Sequence, residues 1–248
     1  MMSVSAHESI GDVLVGRRIV VTRPRHQQAE LTEVLTSVGA EVVSMPLIDI
    51  VEVPSGISTL RTQFADAENI AWVVVSSPNG ARVVAALHEE GCAMPAVAAI
   101  GEATADAIGH AVDFVSRRAN AASLVEEFPT GDGNVVVVQG ERADSTLVDG
   151  LVRKGWTVVR CDVYRTIDTE PTDDELARAR GADAVVFASG SAAKNWARLV
   201  GPAFDGVIVV IGPVTRAAAE EVGLVVGAMA DEASIAGIVG ALASTFSP

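Results

Sequence analysis

The chain has 248 residues, of which 49% are hydrophobic and 20% are charged, a composition typical of a folded globular protein. This length suits one large domain or two modest ones. The sum of Lys and Arg is 18 and that of Asp and Glu is 32, which gives a net charge of −14. So acidic a chain argues against nonspecific binding of nucleic acid and against docking on an anionic membrane. The net charge does not exclude binding of an anionic ligand, because a pocket can be locally positive or rich in hydrogen-bond donors.

The sequence gives no sign of a membrane span or of secretion. No apolar run approaches the ~20 residues that a spanning helix needs. Residues 1–12 contain Glu8 and Asp12 and lack the apolar core of a secretory signal. Cys92 and Cys161 are too few for a disulfide framework, so we interpret them as free thiols. The four histidines show no metal-ligand spacing. We therefore expect a cytoplasmic protein without a metal site.

Short apolar runs alternate with amphipathic segments along the chain. The runs predict strands, and apolar residues at helical spacing predict helices that end at Gly39, Gly91 and Gly155. The predicted elements are a strand at 18–22, a helix at 27–38, strands at 41–45 and 71–75, a helix at 79–90, strands at 96–100 and 134–138, a helix at 146–154, and strands at 157–160, 184–188, 207–211 and 224–226. Short apolar strands between helices form parallel sheets that are covered on both faces, so we predict an α/β fold.

The chain also repeats itself at a nearly constant offset. The matching segments are 17–24 with 133–140, 39–43 with 155–159, 72–81 with 184–193, 99–108 with 210–219, and 119–128 with 230–239. This offset is too long for a solenoid repeat and fits an internal duplication into two similar α/β lobes.

Two divisions into lobes fit the repeats. In the first, the lobes follow one another and the chain breaks near 129–133. In the second, the extended, proline-terminated segments 46–54 and 162–171 are two strands of a hinge. The middle of the chain then forms one lobe, and its two ends together form the other.

Small and hydroxyl-bearing residues gather where the predicted strands end. Ligands of parallel α/β sheets bind outside the carboxyl ends of the strands, so these loops offer N–H and hydroxyl donors to a carboxylate or phosphate. Plain helix capping favours the same residue types, and for a single loop it is the commoner explanation. Six such loops together favour a shared anion site. The candidates are Thr22, Arg23, Ser77, Asn79, Gly101, Thr104, Gly140, Arg142, Ser189, Gly190, Ser191, Gly212 and Thr215.

Tyr164 is the only tyrosine and lies in one of the two hinge segments. Its phenol would either donate a proton to a leaving group or simply pack, with its hydroxyl in water. The motifs GxGxxG, GxxxxGK[ST] and GxSxG are absent, which disfavours a dinucleotide enzyme, a P-loop enzyme and a nucleophile-elbow hydrolase. We interpret Asp173, Asp174 and Glu175 as the charged start of a helix, and the three tryptophans as packing residues.

Six segments, in their order and spacing, resemble the uroporphyrinogen-III synthase family. They are VVTRP (20–24), VVVSSPNGA (73–81), AIGEATADAI (99–108), VYRT (163–166), VVFASGSAAKNW (185–196) and VIGPVTRAA (210–218). The resemblance covers about residues 17–245. It implies two α/β lobes joined by a two-stranded linker, with the active site in the cleft between them. The terminal lobe would combine 1–45 with 168–248, the middle lobe would span 52–162, and the linkers would be 46–51 and 163–167.

The resemblance also implies a reaction. The substrate would be hydroxymethylbilane, a linear tetrapyrrole rich in carboxylates, which loses water and closes with inversion of ring D through a spiro intermediate. No metal or organic cofactor is implied. Tyr164 matches the family's tyrosine and would assist loss of hydroxide. The matching carboxylate-binding positions are Ser77, Thr104, Ser189, Gly190, Ser191 and Thr215. Arg23 and Arg142 are weaker matches, and Gly140 follows Gln139 where the first repeat has Arg-Pro.

We expect a monomer that makes transient contact with hydroxymethylbilane synthase, the enzyme that supplies this substrate. Two other classes of protein stay open. One is a non-catalytic, two-lobed binding or regulatory protein for a small anion, against which the missing secretory signal counts. The other is a flavodoxin-like protein that binds phosphate or flavin, which would be yellow when purified with flavin.

Overall fold

The computed structural model describes residues 13–247, so the segment 1–12, in which we find no secretory signal, lies outside the described residues. The strands are β1 (Arg18–Val21), β2 (Glu41–Ser44), β3 (Ile48–Glu52), β4 (Ile70–Val75), β5 (Ala96–Ala99), β6 (Phe114–Val115), β7 (Asn134–Gly140), β8 (Thr157–Asp168), β9 (Ala184–Phe187), β10 (Val207–Val210) and β11 (Val226–Met229). The α-helices are α1 (Ala29–Ser37), α2 (Pro54–Phe64), α3 (Pro78–Glu89), α4 (Glu102–Ile108), α5 (Ala121–Glu127), α6 (Thr146–Arg153), α7 (Asp173–Arg180), α8 (Gly190–Leu199), α9 (Pro213–Glu221) and α10 (Ile235–Phe246). The predicted α/β class is confirmed. Within residues 13–247, no helix has both the length and the apolar character needed to cross a membrane.

The chain divides into two compact units. Unit 1 extends to Asp49 and resumes at Ile167, and unit 2 is the continuous stretch Ile50–Thr166. The chain therefore passes from one unit to the other inside β3 and again inside β8.

Unit 1 is built on a parallel sheet with the strand order β11-β10-β9-β1-β2. Successive residues of a strand point to opposite faces, and here both faces are buried. Val20 belongs to the apolar core on one face, whereas Ile19 and Val21 belong to the core on the other. Burial on two faces explains why these strands are continuously apolar.

Unit 2 has a sheet with the order β3-β8-β7-β4-β5-β6, in which the pairs from β8 to β6 are parallel. Its strands are buried on both faces as well. Val73 and Val75 contribute to one core, and Val74 contributes to the other.

The internal repeats occupy equivalent places in the two sheets. Read from its other end, the sheet of unit 2 is β6-β5-β4-β7-β8 followed by β3. The repeats match β1 with β7, β2 with β8, β9 with β4 and β10 with β5, which is position by position the order β11-β10-β9-β1-β2 of unit 1. This equivalence supports an internal duplication. It also shows that each unit combines one part of the first repeat with one part of the second.

The tryptophans pack in the cores, as predicted. Trp72 and Trp156 stand edge-to-face against Phe128, with ring centroids 5.2 and 6.0 Å away. Trp196 is fully buried and lies 5.7 Å from Phe187. Such aromatic pairs add about 0.5–1.5 kcal/mol beyond the apolar area that they bury.

The helix ends follow the predicted signals. Gly39, Gly91 and Gly155 have φ angles of +81°, +93° and +98°, the left-handed conformation that glycine adopts after a helix. The acidic cluster begins α7, where Thr172 and Glu175 form a reciprocal capping box.

Four strands differ from the prediction: β6 is absent from the predicted elements, β7 runs to Gly140 instead of ending at residue 138, β11 is displaced and β8 is longer. The strand expected at 224–226 begins at Val226, because the N–H of Leu224 closes the end of α9 on the carbonyl of Ala219 (3.1 Å). The strand expected to end at residue 160 runs to Asp168: its pairing with β7 continues as far as Tyr164, and β3 is its neighbour on the other side.

Asp183 fastens β1 beside β9. Its carboxylate accepts hydrogen bonds from the N–H of Arg18 (2.8 Å) and from Nη1 of Arg17 (3.0 Å). Its own N–H donates to the carbonyl of Arg18 (2.9 Å). The Arg18 N–H first, and then the Arg17 guanidinium, hold the pKa of Asp183 below its usual value.

Asp183→Asn should lower the free energy of unfolding by about 1–2 kcal/mol at pH 7, because the charge-assisted hydrogen bonds are lost. The pKa of Asp183 is lower in the folded chain than the ~3.9 of an unfolded aspartate. The stabilisation is therefore present above that pH and disappears as the pH falls through the folded value. Urea unfolding at several pH values should show wild type and variant converging in acid. The same difference at every pH, or an equal effect of Asn at the exposed Asp205, would contradict this interpretation.

Candidate functional site

Most of the predicted site residues lie in the loops that leave the carboxyl ends of strands or in the first turns of the helices that follow these loops. In unit 1 these loops follow β1, β9 and β10, and in unit 2 they follow β4, β5 and β7. Because the strands of each set are parallel, each set of loops lies at one edge of its sheet, which we call the carboxyl edge. The structure thus brings the candidate residues together within each unit.

Thr22 differs from the other candidates because its hydroxyl is used inside the fold. The residue is fully buried, and Oγ1 donates to the carbonyl of Val186 (2.7 Å). This bond ties the end of β1 to β9, so we leave Thr22 out of the binding set proposed below. Arg23 is half-buried, and its carbonyl accepts a hydrogen bond from the side-chain amide of Gln28 (2.6 Å). In unit 2, Oδ1 of Asn79 accepts a hydrogen bond from the guanidinium of Arg82 (2.9 Å).

Thr104 and Thr215 occupy equivalent places at the starts of α4 and α9. They are only 2% and 5% exposed. Neither hydroxyl has a hydrogen-bond partner in the described part of the chain, and neither oxygen is sealed from solvent. Extended glycines precede both: a Cβ at Gly212 would meet nothing within 4 Å, whereas one at Gly101 would lie 2.7 Å from a neighbouring side chain. A buried residue with an uncommitted hydroxyl donor is suited to receive an anion.

Ser77 and Ser189 are helix N-caps. Oγ of Ser77 accepts from the N–H of Gly80 (3.2 Å), and Oγ of Ser189 accepts from the N–H of Ser191 (3.2 Å). The capping role that competed with ligand binding is therefore real for both residues. Their hydroxyl hydrogens remain available as donors, because capping uses only a lone pair. Gly190 lets α8 and α9 pack closely, since a Cβ there would come within 2.6 Å of a side chain on α9.

Tyr164 lies on β8 directly opposite Gly140, the last residue of β7. It is half-buried and packs against a core cluster of unit 2. Its carbonyl accepts from the N–H of Glu141 (2.9 Å), and the next residue, Arg142, is exposed. Tyr164 and Gly140 thus meet at the carboxyl end of β7, and Arg142 lies in the loop that follows.

Asn195 is a site-supporting residue that sequence reasoning missed. It is 2% exposed in α8, and Nδ2 donates to the carbonyls of Leu47 (2.6 Å) and Thr169 (3.0 Å). Oδ1 accepts from Nε of Arg198 (3.0 Å). The amide thereby joins, within unit 1, the two stretches of chain that adjoin the passages to unit 2. The available signal was an amide placed beside buried Trp196 on the apolar face of the helix.

Asn195→Ala should lower the free energy of unfolding by about 1–3 kcal/mol, because the carbonyls of Leu47 and Thr169 each lose a hydrogen bond, and Leu47 keeps only the N–H of Thr169 (3.1 Å). Thermal or urea unfolding measures the change. The neighbouring Lys194→Ala is the control, since it removes only an exposed ion pair with Glu221, and such pairs add little to stability. Equal losses in the two variants would contradict the role of Asn195.

Cys161 is an inert thiol in this fold. It is 1% exposed, and burial, with a smaller contribution from the charge of Asp162, raises the pKa of its thiol to about 11. Both cysteines are free, as predicted.

Among residues 13–247, no three His, Cys, Asp or Glu side chains are grouped so that they could hold a metal ion.

The fold and these edges define an α/β protein of two units, in each of which hydroxyl and N–H donors line the carboxyl edge of a parallel sheet. The sequence profile of one family, described as uroporphyrinogen-III synthase HemD, matches residues 29–240. The chain belongs to this uroporphyrinogen-III synthase family, which is a family of enzymes, as the sequence segments predict.

Relatives with this name are similar over most of their length. The chloroplastic uroporphyrinogen-III synthase of rice is 26% identical over 222 residues, which cover 83% of this chain and 73% of that protein. The uroporphyrinogen-III synthase of Synechococcus elongatus is 27% identical over 207 residues, which cover 75% of this chain and 76% of that protein.

Two solved structures show the same fold. A mutant uroporphyrinogen III synthase from Thermus thermophilus matches with a TM-score of 0.64 and 17% identity, covering 93% of this chain and 98% of that one. The synthetase from Helicobacter pylori matches with a TM-score of 0.61 and 16% identity, covering 92% and 99%.

Proposed function

We propose that this chain converts hydroxymethylbilane to uroporphyrinogen III, with loss of water and inversion of ring D. The observation that carries the proposal is the family match over residues 29–240. The curated relatives that bear the synthase name support it, because they align along most of both chains.

The donors at the two carboxyl edges suit a substrate rich in carboxylates. We assign carboxylate binding to Thr104 and Thr215, whose hydroxyls have no other partner in residues 13–247. The Ser189-Gly190-Ser191 loop, Gly212 and Ser77 add hydroxyls and backbone N–H groups. Because the chain carries a net charge of −14, long-range attraction does not help, and binding must come from these local donors.

In this reaction the protein has two tasks: it holds the substrate in the conformation that closes, and it donates a proton to the departing hydroxyl. The new bond joins two carbons of the substrate, so the protein's main task is to hold the chain of pyrroles in the conformation that closes. The departing hydroxyl benefits from a proton donor. We assign this role to the phenol of Tyr164.

The first experiment is a coupled assay. Hydroxymethylbilane is generated in place by its own synthase, this protein is added, and the products are oxidised and separated as uroporphyrin isomers. We expect isomer III to replace isomer I. Isomer I alone, from folded protein, would overturn the proposed reaction and favour a non-catalytic protein that binds a small anion.

Tyr164→Phe should lower kcat by about tenfold to a hundredfold without abolishing turnover, because general-acid assistance is lost while the substrate keeps its intrinsic reactivity. The same assay measures the rate under single-turnover conditions. An unchanged rate would assign Tyr164 a packing role only. Complete loss of activity in a folded variant would mean that the phenol is indispensable.

Thr215→Val should raise KM by about tenfold with little change in stability, because a hydroxyl donor to a carboxylate is lost at constant shape. Thr104→Val should behave in the same way. Thr22→Val is the matched control: its hydroxyl bonds to Val186, so this variant should lower the melting temperature and leave KM unchanged. A raised KM in Thr22→Val alone would reverse these assignments.

A cytoplasmic location and a monomeric state belong to the same proposal, as does transient contact with hydroxymethylbilane synthase. The free thiols Cys92 and Cys161 fit a reducing compartment. The rice relative is named as chloroplastic, so the compartment varies among relatives.

A further inference from the structure

The pairing of β7 with β8 changes register just before Tyr164. Gln139 lies opposite Asp162, but the next residue, Gly140, lies opposite Tyr164. Val163 is therefore the extra residue of a bulge, and it is fully buried. Bulges re-aim the side chains that follow them. Without this bulge, Val163 and not Tyr164 would stand opposite Gly140.

The ring of Tyr164 lies directly on Gly140. A Cβ built on Gly140 would be 2.7 Å from Cζ, 2.8 Å from Cε2 and 3.0 Å from Oη of Tyr164. All three of these nearest atoms belong to the hydroxyl-bearing end of the ring. The space that a side chain would fill at position 140 is thus occupied by the phenol.

The backbone itself does not need glycine at this position. Among residues 13–247, Gly140 is not one of the glycines with positive φ. Alanine would therefore fit the backbone conformation without strain. What glycine provides here is room for the ring.

The backbone that follows Gly140, beneath the ring of Tyr164, is held in place by hydrogen bonds. The N–H of Glu141 donates to the carbonyl of Tyr164 (2.9 Å), and Nη2 of Arg160 donates to the carbonyl of Glu141 (3.1 Å). Arg160 is held in turn by Asp162, 2.8 Å away. A methyl group at position 140 would therefore displace the end of a side chain, the phenol, sooner than the backbone.

We propose that Gly140 is a positioning residue that sets where the Tyr164 hydroxyl stands, and that it acts through this ring and not by touching substrate. Gly140 is buried beneath the phenol, which fits this role better than a direct contact. The inference rests on the proposed function in one respect: the hydroxyl so placed is the proton donor of the ring-closing reaction.

The test combines Gly140→Ala with Tyr164→Phe. Gly140→Ala should lower kcat by about tenfold to a hundredfold, the effect of misplacing a catalytic group by about 1 Å, with KM little changed. In the Tyr164→Phe background, the same substitution should cost less than about twofold, because the hydroxyl is already gone. Full additivity in the double variant, or an unchanged rate in Gly140→Ala, would overturn the inference.

A structural readout comes from the tyrosine itself. Since the chain has a single tyrosine, a protein labelled with 13C-tyrosine gives ring signals from Tyr164 alone. Gly140→Ala should shift these signals. The control Gly240→Ala, where a Cβ would meet nothing within 4 Å, should leave both the signals and the rate unchanged. Identical ring spectra in wild type and Gly140→Ala would overturn the inference.

A third variant covers the case in which Gly140→Ala folds poorly. Tyr164→Ala removes the ring, so Gly140→Ala should destabilise wild type but not the Tyr164→Ala background. Destabilisation in both backgrounds would show that the ring is not what requires glycine, and would overturn the inference.

If wild type yields only isomer I, the proposed function and the catalytic role of the positioned hydroxyl are both overturned. An active wild type with an unaffected Gly140→Ala removes the positioning role alone.

Discussion

The pairing of β1 with β9 holds unit 1 together, because it joins two stretches of chain that lie far apart in sequence. Ile19 stands opposite Ala184, and this pair of strands is fastened at both ends. Asp183 binds the first residues of β1, and the Thr22 hydroxyl binds the carbonyl of Val186 at the other end. The loops that follow β1 and β9 therefore leave the sheet side by side, and the carboxyl edge of unit 1 exists only because this pairing forms.

The duplication gave both units the same sheet, but their carboxyl edges have diverged. Thr104 and Thr215 are kept at equivalent positions with the same uncommitted hydroxyl. The offset of the repeats places Pro24 and buried Ile48 of unit 1 where unit 2 has Gly140 and Tyr164. The paired glycine and phenol thus belong to unit 2 only. The proposed proton donor therefore has no counterpart in unit 1.

The sequence predicted the parts of this fold that depend on local pattern. Continuous apolar runs identify strands that are buried on both faces, and a glycine after an amphipathic segment identifies a helix end. The helix ends at Gly39, Gly91 and Gly155 are confirmed, and so are most of the strands, although the bounds of several differ. Helix α2 escaped prediction because only Leu60 and Phe64 are buried along it. The site was harder, because the hydroxyls of Thr22 and Thr215 look alike in sequence and only three-dimensional contacts reveal that one is already bonded. The contact between Gly140 and Tyr164 depends on a single change of register, which no local pattern encodes.

The division of the chain also sets an order of events during synthesis. Unit 2 is continuous, so all of it is translated before β9. β1 ends at Val21, and the first residue of its partner strand β9, Ala184, follows 163 residues later. At about 5–20 residues per second, that interval lasts roughly ten to thirty seconds. Throughout it, the edge of β1 that will pair with β9 has no partner strand. Strand β1 is therefore a place where the nascent chain needs protection from aggregation.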